Sequence, residues 1–215
     1  MNGVSTNRDA ARIFAAWRRP SLALVAAFAV AGCEVVDLPG EGAPPPTLYV
    51  LNAPMAAPAG VGPALGVDTP KAAAGLDTPR MLARTGPNAL TPIARAAWVE
   101  PVGPLLGEYL VAAMEASGRF ALVGPITAGL SYDRGLYVDI RRFEIDTVNG
   151  GQSAEVRLRA RLVDLRARRV VKARSFDGSA PLSGGGPAAS AAAFQAAVDA
   201  ATAELAAWAA TPPAS

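Results

Sequence analysis

Between Leu136 and Leu162 apolar and polar residues alternate so regularly that a pair of strands with one buried face is the fold element that fits them. Leu136, Val138 and Ile140 keep one phase, the phase slips at Arg141-Arg142, and Phe143 and Ile145 resume it, which predicts a strand with a bulge. Asn149-Gly150-Gly151 then supplies a hairpin turn. On the return, Val156, Leu158, Ala160 and Leu162 point one way while Glu155, Arg157, Arg159 and Arg161 point the other, so one sheet face is buried and the other wet. Arg166 to Arg169 makes a second turn and Val170 to Phe176 a third strand, completing an antiparallel meander.

A sheet with one apolar face needs a cover, and two stretches can provide it. Val102 to Ser117 carries Leu106, Leu110, Ala113 and Met114 on one helical face and ends at Gly118. The alanine-rich run from Pro187 to Ala210 carries Phe194, Val198, Ala201, Leu205 and Trp208 on one stripe, suited to the core or to a partner helix. Leu48 to Leu51, Met81 to Arg84 and Phe120 to Val123 read as further strands, the first stopped by Asn52-Ala53-Pro54 and the last by Gly124-Pro125. Residues from Met55 to Asp77 are rich in Ala, Gly and Pro and are expected to form a long irregular loop. The expected fold class is α+β: a mixed, largely antiparallel sheet with two main helices packed on one face.

Ahead of the domain lies a different kind of sequence. Arg18 and Arg19 precede an apolar run from Leu22 to Val30 and small residues, the pattern of a secretory signal peptide. The run is shorter than the roughly 20 apolar residues that a bilayer span needs. Val30-Ala31-Gly32-Cys33 resembles the lipobox of bacterial lipoproteins, in which cleavage leaves the cysteine as the acylated first residue; an ordinary signal peptide carrying a thiol near its end is the alternative. One myristoyl chain holds only marginally, whereas two or three chains of palmitate length anchor a protein stably. Glu34 follows, where an aspartate favours inner-membrane retention in enterobacterial lipoproteins, so by that resemblance the periplasmic face of the outer membrane is expected over the inner membrane. The Gly- and Pro-rich stretch from Glu34 to Thr47 reads as a tether. The expected organisation is a signal peptide over 1–32, an acylated cysteine and tether over 33–47, and a domain over 48–212.

Composition then narrows the function. The whole chain carries +2, but the leader holds Arg8, Arg12, Arg18 and Arg19 against Asp9, which leaves −1 on the mature chain and removes the basic signature of a nucleic-acid binder. There is no histidine, and the one cysteine is assigned to the anchor. Ser-His-Asp and Cys-His nucleophile arrangements, His-containing zinc sites, thiol redox chemistry and disulfides are thereby excluded, and no catalytic residue, metal or cofactor is expected. Carboxylate chemistry is left with Asp133, Asp139, Glu144 and Asp146, of which Asp139 and Glu144 share a strand; outward positions on the wet face are their ordinary reading.

The candidate contact residues are Arg80, Trp98, Arg157, Arg159 and Arg161. Arg80, in Thr78-Pro79-Arg80, suits a bidentate contact to a lipid phosphate or partner carboxylate, or an ordinary surface ion pair at a strand end. Trp98, just before a helix, suits an interface anchor or the core. The row Arg157, Arg159 and Arg161 suits anionic headgroups or a solvated sheet face.

Taken in order, the lipobox and tether, Tyr49-Val50-Leu51, Leu76-Asp77-Thr78-Pro79-Arg80, Ala96-Ala97-Trp98, Leu110 through Phe120, Leu136 through Phe143 and Ala160-Arg161-Leu162-Val163-Asp164 resemble the ABC-type transport auxiliary lipoproteins, also known as the PqiC-like or YmbA-like group. That resemblance implies an accessory lipoprotein that works with an MCE-domain protein and an ABC permease and ATPase to move phospholipid or other hydrophobic compounds between inner and outer membranes. It also permits a ring-like homo-oligomer. No GxxxxGK[ST] motif is present, so this chain is not the ATPase. A scaffold for another envelope complex is the alternative function.

Overall fold

The computed structural model describes residues 44–148 and 151–212. The lipobox Val30 to Cys33, the leader, most of the tether, and Asn149 and Gly150 of the hairpin turn lie outside the described residues. Nine strands and two helices follow in the order β1 (Thr47–Tyr49), β2 (Ala64–Val67), β3 (Lys71–Ala72), β4 (Arg80–Gly86), β5 (Ala89–Trp98), α1 (Val102–Ala116), β6 (Leu122–Pro125), β7 (Arg134–Asp146), β8 (Ser153–Asp164), β9 (Arg169–Pro181) and α2 (Pro187–Ala210). A 3-10 turn, Ile126–Ala128, precedes β7.

The fold is α+β, as its alternation pattern predicts. β7, β8 and β9 form the antiparallel meander, and the bulge falls between Ile140 and Arg142, where the phase slips in the sequence. The other edge of β7 is shared along its length by three strands, all parallel to it: β2 against Arg134–Leu136, β3 against Asp139–Ile140 and β4 against Ile145–Asp146. β5 pairs antiparallel with β4, β1 lies parallel outside β5, and β6 lies parallel outside β2. The long ladders are antiparallel and the short ones parallel, which makes the sheet mixed.

β6 runs through the Gly124-Pro125 expected to stop it, since both residues pair with β2, and two larger expectations need correcting. The segment from Met55 to Asp77 is not one irregular loop, because it contains β2 and β3. β2 is flanked on both sides, and Leu65 and Val67 are buried in the core. Its composition hides it: Gly66 carries no side chain because a Cβ there would lie 2.8 Å from the Tyr132 ring. Gly124, its register partner on β6, would meet the Tyr132 hydroxyl at 2.6 Å, so two adjacent strands have given up side chains to seat one tyrosine. Second, β9 runs to Pro181, well beyond Phe176, because Asp177 to Ala180 continue the ladder with β8.

One core unites the sheet's apolar face with both helices. From the sheet come Leu136, Val138, Ile140, Val156, Leu158 and Leu162; from α1 come Leu106, Leu110 and Met114; from α2 come Phe194, Val198, Ala201 and Leu205. Trp98, Phe143 and Phe194 close it with three aromatic contacts: Phe143 stacks on Phe194 at 4.9 Å, and Trp98 meets their edges at 5.8 and 5.3 Å. Such pairs add about 0.5–1.5 kcal/mol each beyond area burial. Both helix ends are tied by side chains from elsewhere. The N-cap of α1 is Pro101, which has no capping side chain, and Asp77 Oδ1 accepts the Gly103 N–H at 3.0 Å instead. On the second helix Lys172 Nζ donates to the carbonyls of Trp208 and Thr211 at 2.5 and 2.8 Å, a cation at the C-terminus of α2.

Candidate functional surface

The face of β7, β8 and β9 turned away from the helices is polar, but not uniformly wet. Glu144 is 1% exposed and accepts from Arg84 Nε at 2.6 Å and Arg142 Nε at 2.9 Å. Arg142 also donates to Asp146 Oδ2 at 2.9 Å. A buried carboxylate is tolerated only when paired, and two guanidinium groups neutralise this one from β4 and β7. Asp146 is held below the usual carboxylate range, chiefly by the Val148 N–H and then by Arg142. Glu144 and Asp146 are therefore beneath the arginines, which corrects the expectation that they point freely outward.

The other carboxylates serve the fold. Asp139 meets Arg141 at 3.3 Å and Arg161 at 3.4 Å. Asp133 accepts the Ala64 N–H at 3.1 Å and Arg166 at 3.2 Å, fixing β2 beside β7. A shallow cavity of about 260 Å³ on this face is lined by Arg142, Asp146, Gly151, Ser153 and Glu155, so it does not bring Asp139 and Glu144 together. Among the described residues no cluster of three His, Cys, Asp or Glu side chains is arranged to hold a metal ion.

Each candidate contact residue now has a place. Arg157 pairs with Asp177 across β9, with both side chains about half exposed, a geometry worth at most about 1 kcal/mol. Arg161 pairs with Asp139, and Arg159 lies between Asp139 and Ser175 in register. Arg80 is exposed at the first position of β4, and its N–H donates to Thr78 Oγ1 at 3.3 Å. Trp98 is 1% exposed and belongs to the core. The three β8 arginines share the outer face, whereas Arg80 lies on β4 and Trp98 points the other way.

A second concavity lies between the helices. Its volume is about 570 Å³, with Ala113, Ala116, Ala203 and Ala206 among its lining residues. A polar chain crosses it: the Tyr109 hydroxyl donates to Asp199 Oδ1, Gln195 Nε2 donates to the same oxygen at 2.8 Å, and Gln195 exchanges hydrogen bonds with the backbone of Asn52 at 2.8 and 3.2 Å. Burial, with help from the Asp199 hydrogen bond, raises the Tyr109 phenol well above its ordinary value. Sequence periodicity did not single out these residues. The available signal was Gln195 and Asp199, an i,i+4 polar pair within an alanine-rich helix.

Residues 49–206 match the family described as ABC-type transport auxiliary lipoprotein component, which is nearly the whole described domain. The chain belongs to that family. A crystal structure of a Xanthomonas campestris protein assigned to DUF330 is 36% identical, with a TM-score of 0.65 over 76% of this chain and 91% of the other. An uncharacterised protein of known structure matches at a TM-score of 0.64 over 77% of this chain and 99% of its own, and at 15% identity it shows the fold alone. No match was found among curated proteins.

Two of the segments that carry the family resemblance prove to be joints of the auxiliary lipoprotein's fold. In Leu76-Asp77-Thr78-Pro79-Arg80, Asp77 caps α1, the Pro79 carbonyl accepts the Trp98 N–H at 2.6 Å, and Thr78 braces Arg80. Ser117-Gly118-Arg119-Phe120 ends α1 through Gly118 at φ 60°, and the Phe120 carbonyl accepts from Gly60 at 2.9 Å. Among the described residues no helix is long and apolar enough to cross a membrane.

Proposed function

We propose that this chain is a non-catalytic lipoprotein held on the periplasmic face of the outer membrane, serving an ABC/MCE-type system that moves phospholipid or other hydrophobic compounds between the two membranes. The observation that carries this reading is the family match over residues 49–206. A family described as an auxiliary component of ABC transport implies a transporter partner, and in this reading an MCE-domain protein links the lipoprotein to its permease and ATPase. Cleavage after Gly32 would free Cys33 for acylation, and the tether would hold the domain off the bilayer. The surfaces available for partners are the outer sheet face with Arg157, Arg159 and Arg161, the exposed Arg80, and the groove between the helices.

Deleting the gene tests the role. The expected result is increased outer-membrane permeability and an altered lipid distribution, matching the phenotype of strains lacking the permease. If the permease deletion shows that defect and this deletion does not, the transport role fails.

A further inference from the structure

Exposed aliphatic side chains gather where the chain enters the domain. β1 is the outermost strand beside β5, with Leu48 opposite Ala97 and Tyr49 opposite Trp98. Tyr49, Leu51 and Trp98 pack on the core, so alternation within the strands turns Leu48 and Ala97 to the other face, and Val50 and Val99 follow directly past the two strand ends, where the Val99 N–H donates to the Tyr49 carbonyl at 3.0 Å. There Leu48 is 60% exposed, Val50 52% and Val99 48%. Arg80 pairs with Ala97 from the other side of β5 and adds an exposed cation to the same rung.

Three aliphatic side chains form a patch far smaller than the roughly 1,000 Å² that a specific protein interface needs. A bilayer is a different partner, because the anchor holds it close to this end of the domain. Roughly 14 residues join Cys33 to β1, a reach of about 43 Å as a polyproline helix and about 20 Å as a coil. Contact with that bilayer is then intramolecular, and a patch too weak for a free partner suffices. Depth is limited by the open edge of β1, whose outward N–H and C=O groups pair with no other strand among the described residues and need water. The contact therefore belongs at headgroup level, where a guanidinium meets lipid phosphates.

We infer that Leu48, Val50 and Val99, with Arg80 beside them, form a membrane-docking surface that seats the domain on the headgroup layer of the bilayer carrying its anchor. The inference rests on the Cys33 anchor proposed above.

The sequence has one cysteine, so after acylation of Cys33 a second, introduced cysteine is the sole free thiol. The full acylated protein, carrying Leu48→Cys or Val50→Cys labelled with bimane, is reconstituted into phosphatidylethanolamine–phosphatidylglycerol vesicles containing headgroup-spin-labelled lipid. Val170→Cys, 54% exposed on β9 at the opposite side of the sheet, is the reference. The expected result is flotation of every variant with the vesicles, and quenching at positions 48 and 50 about threefold stronger than at 170. Adding Arg80→Glu should lower the quenching at 48 toward the reference. Equal quenching at all three positions in protein that floats would overturn the docking surface and leave the anchor standing. Failure to float would overturn both. A label at 48 that is unquenched by lipid but cross-links between copies would assign the patch to a second copy and overturn the inference as well.

Discussion

Tyr109 links the two helices through one side-chain hydrogen bond, to Asp199, and the same carboxylate is steadied by Gln195, which holds the Asn52 backbone. One tyrosine thus ties α1, α2 and the segment after β1. The phenol is buried and its proton is held more tightly in the folded chain than in the unfolded one, so the associated stability is present below about pH 10 and is lost as the pH rises above it. Tyr109→Phe should lower stability by about 1 kcal/mol at pH 8, the size expected for a hydrogen bond to a carboxylate that keeps a second donor. Urea midpoints measured at pH 8 and near pH 11 check this: the gap between wild type and variant should narrow at the higher pH, and a gap that stays constant would sever the link between the Tyr109 proton and stability. Glu144 illustrates a different residue-scale rule. Its position in an alternating strand assigns it to the outer face, but alternation says nothing about Arg84, 60 residues away, arriving to cover it.

At the scale of elements, Gly178 sets how closely α2 approaches the sheet. A Cβ at Gly178 would lie 1.9 Å from the Ala197 carbonyl oxygen and 3.1 Å from the Ala201 Cβ, so the helix presents alanines to a strand that offers no side chain. That contact gives the alanine-rich composition of α2 a packing role. Gly178→Val should force the helix off β9 and destabilise by about 3 kcal/mol, whereas Gly75→Ala, with nothing within 4 Å, should be near neutral. Equal thermal midpoints for the two variants would contradict the close approach. Elements whose residues repeat with a clean period were legible in the sequence: the bulge in β7, the alternation of β8, and the span of α2 from Pro187 to Ala210. β2 and β3 were not, because a four-residue parallel strand paired on both sides needs no alternation, and Gly66 is demanded by Tyr132, distant in sequence. The strand Ala89–Trp98 lacks a clean period for a related reason: its pairing with β4 shifts register between Arg80 and Leu82, and Arg95 takes a φ of 58°. Of the site candidates, the β8 arginine row could be read from alternation, but the groove between the helices could not, since it depends on where two distant helices meet.

For the molecule as a whole, one face of the sheet is spent on the core and the helices, while the other face and the sheet edges remain for partners. The charged face is largely self-paired through Arg84, Arg142, Glu144 and Asp146, which makes it a rigid surface more than a loose array of charges. The chain enters this domain directly from the proposed anchor, and the family match begins at Tyr49, two residues into β1. In the proposed reading, anchor and domain together make an accessory that brings a folded surface to one place in the envelope, with its work carried out through partners. The most direct measurement is a pull-down of the mature protein from solubilised membranes, with mass spectrometry of co-purified proteins and lipids, comparing wild type with Cys33→Ala. The predicted result is recovery of an MCE-domain protein or its ABC permease with the wild type, and loss of membrane association in the variant. Recovery of an unrelated outer-membrane complex with no transporter component would contradict the transport role and point to a scaffold.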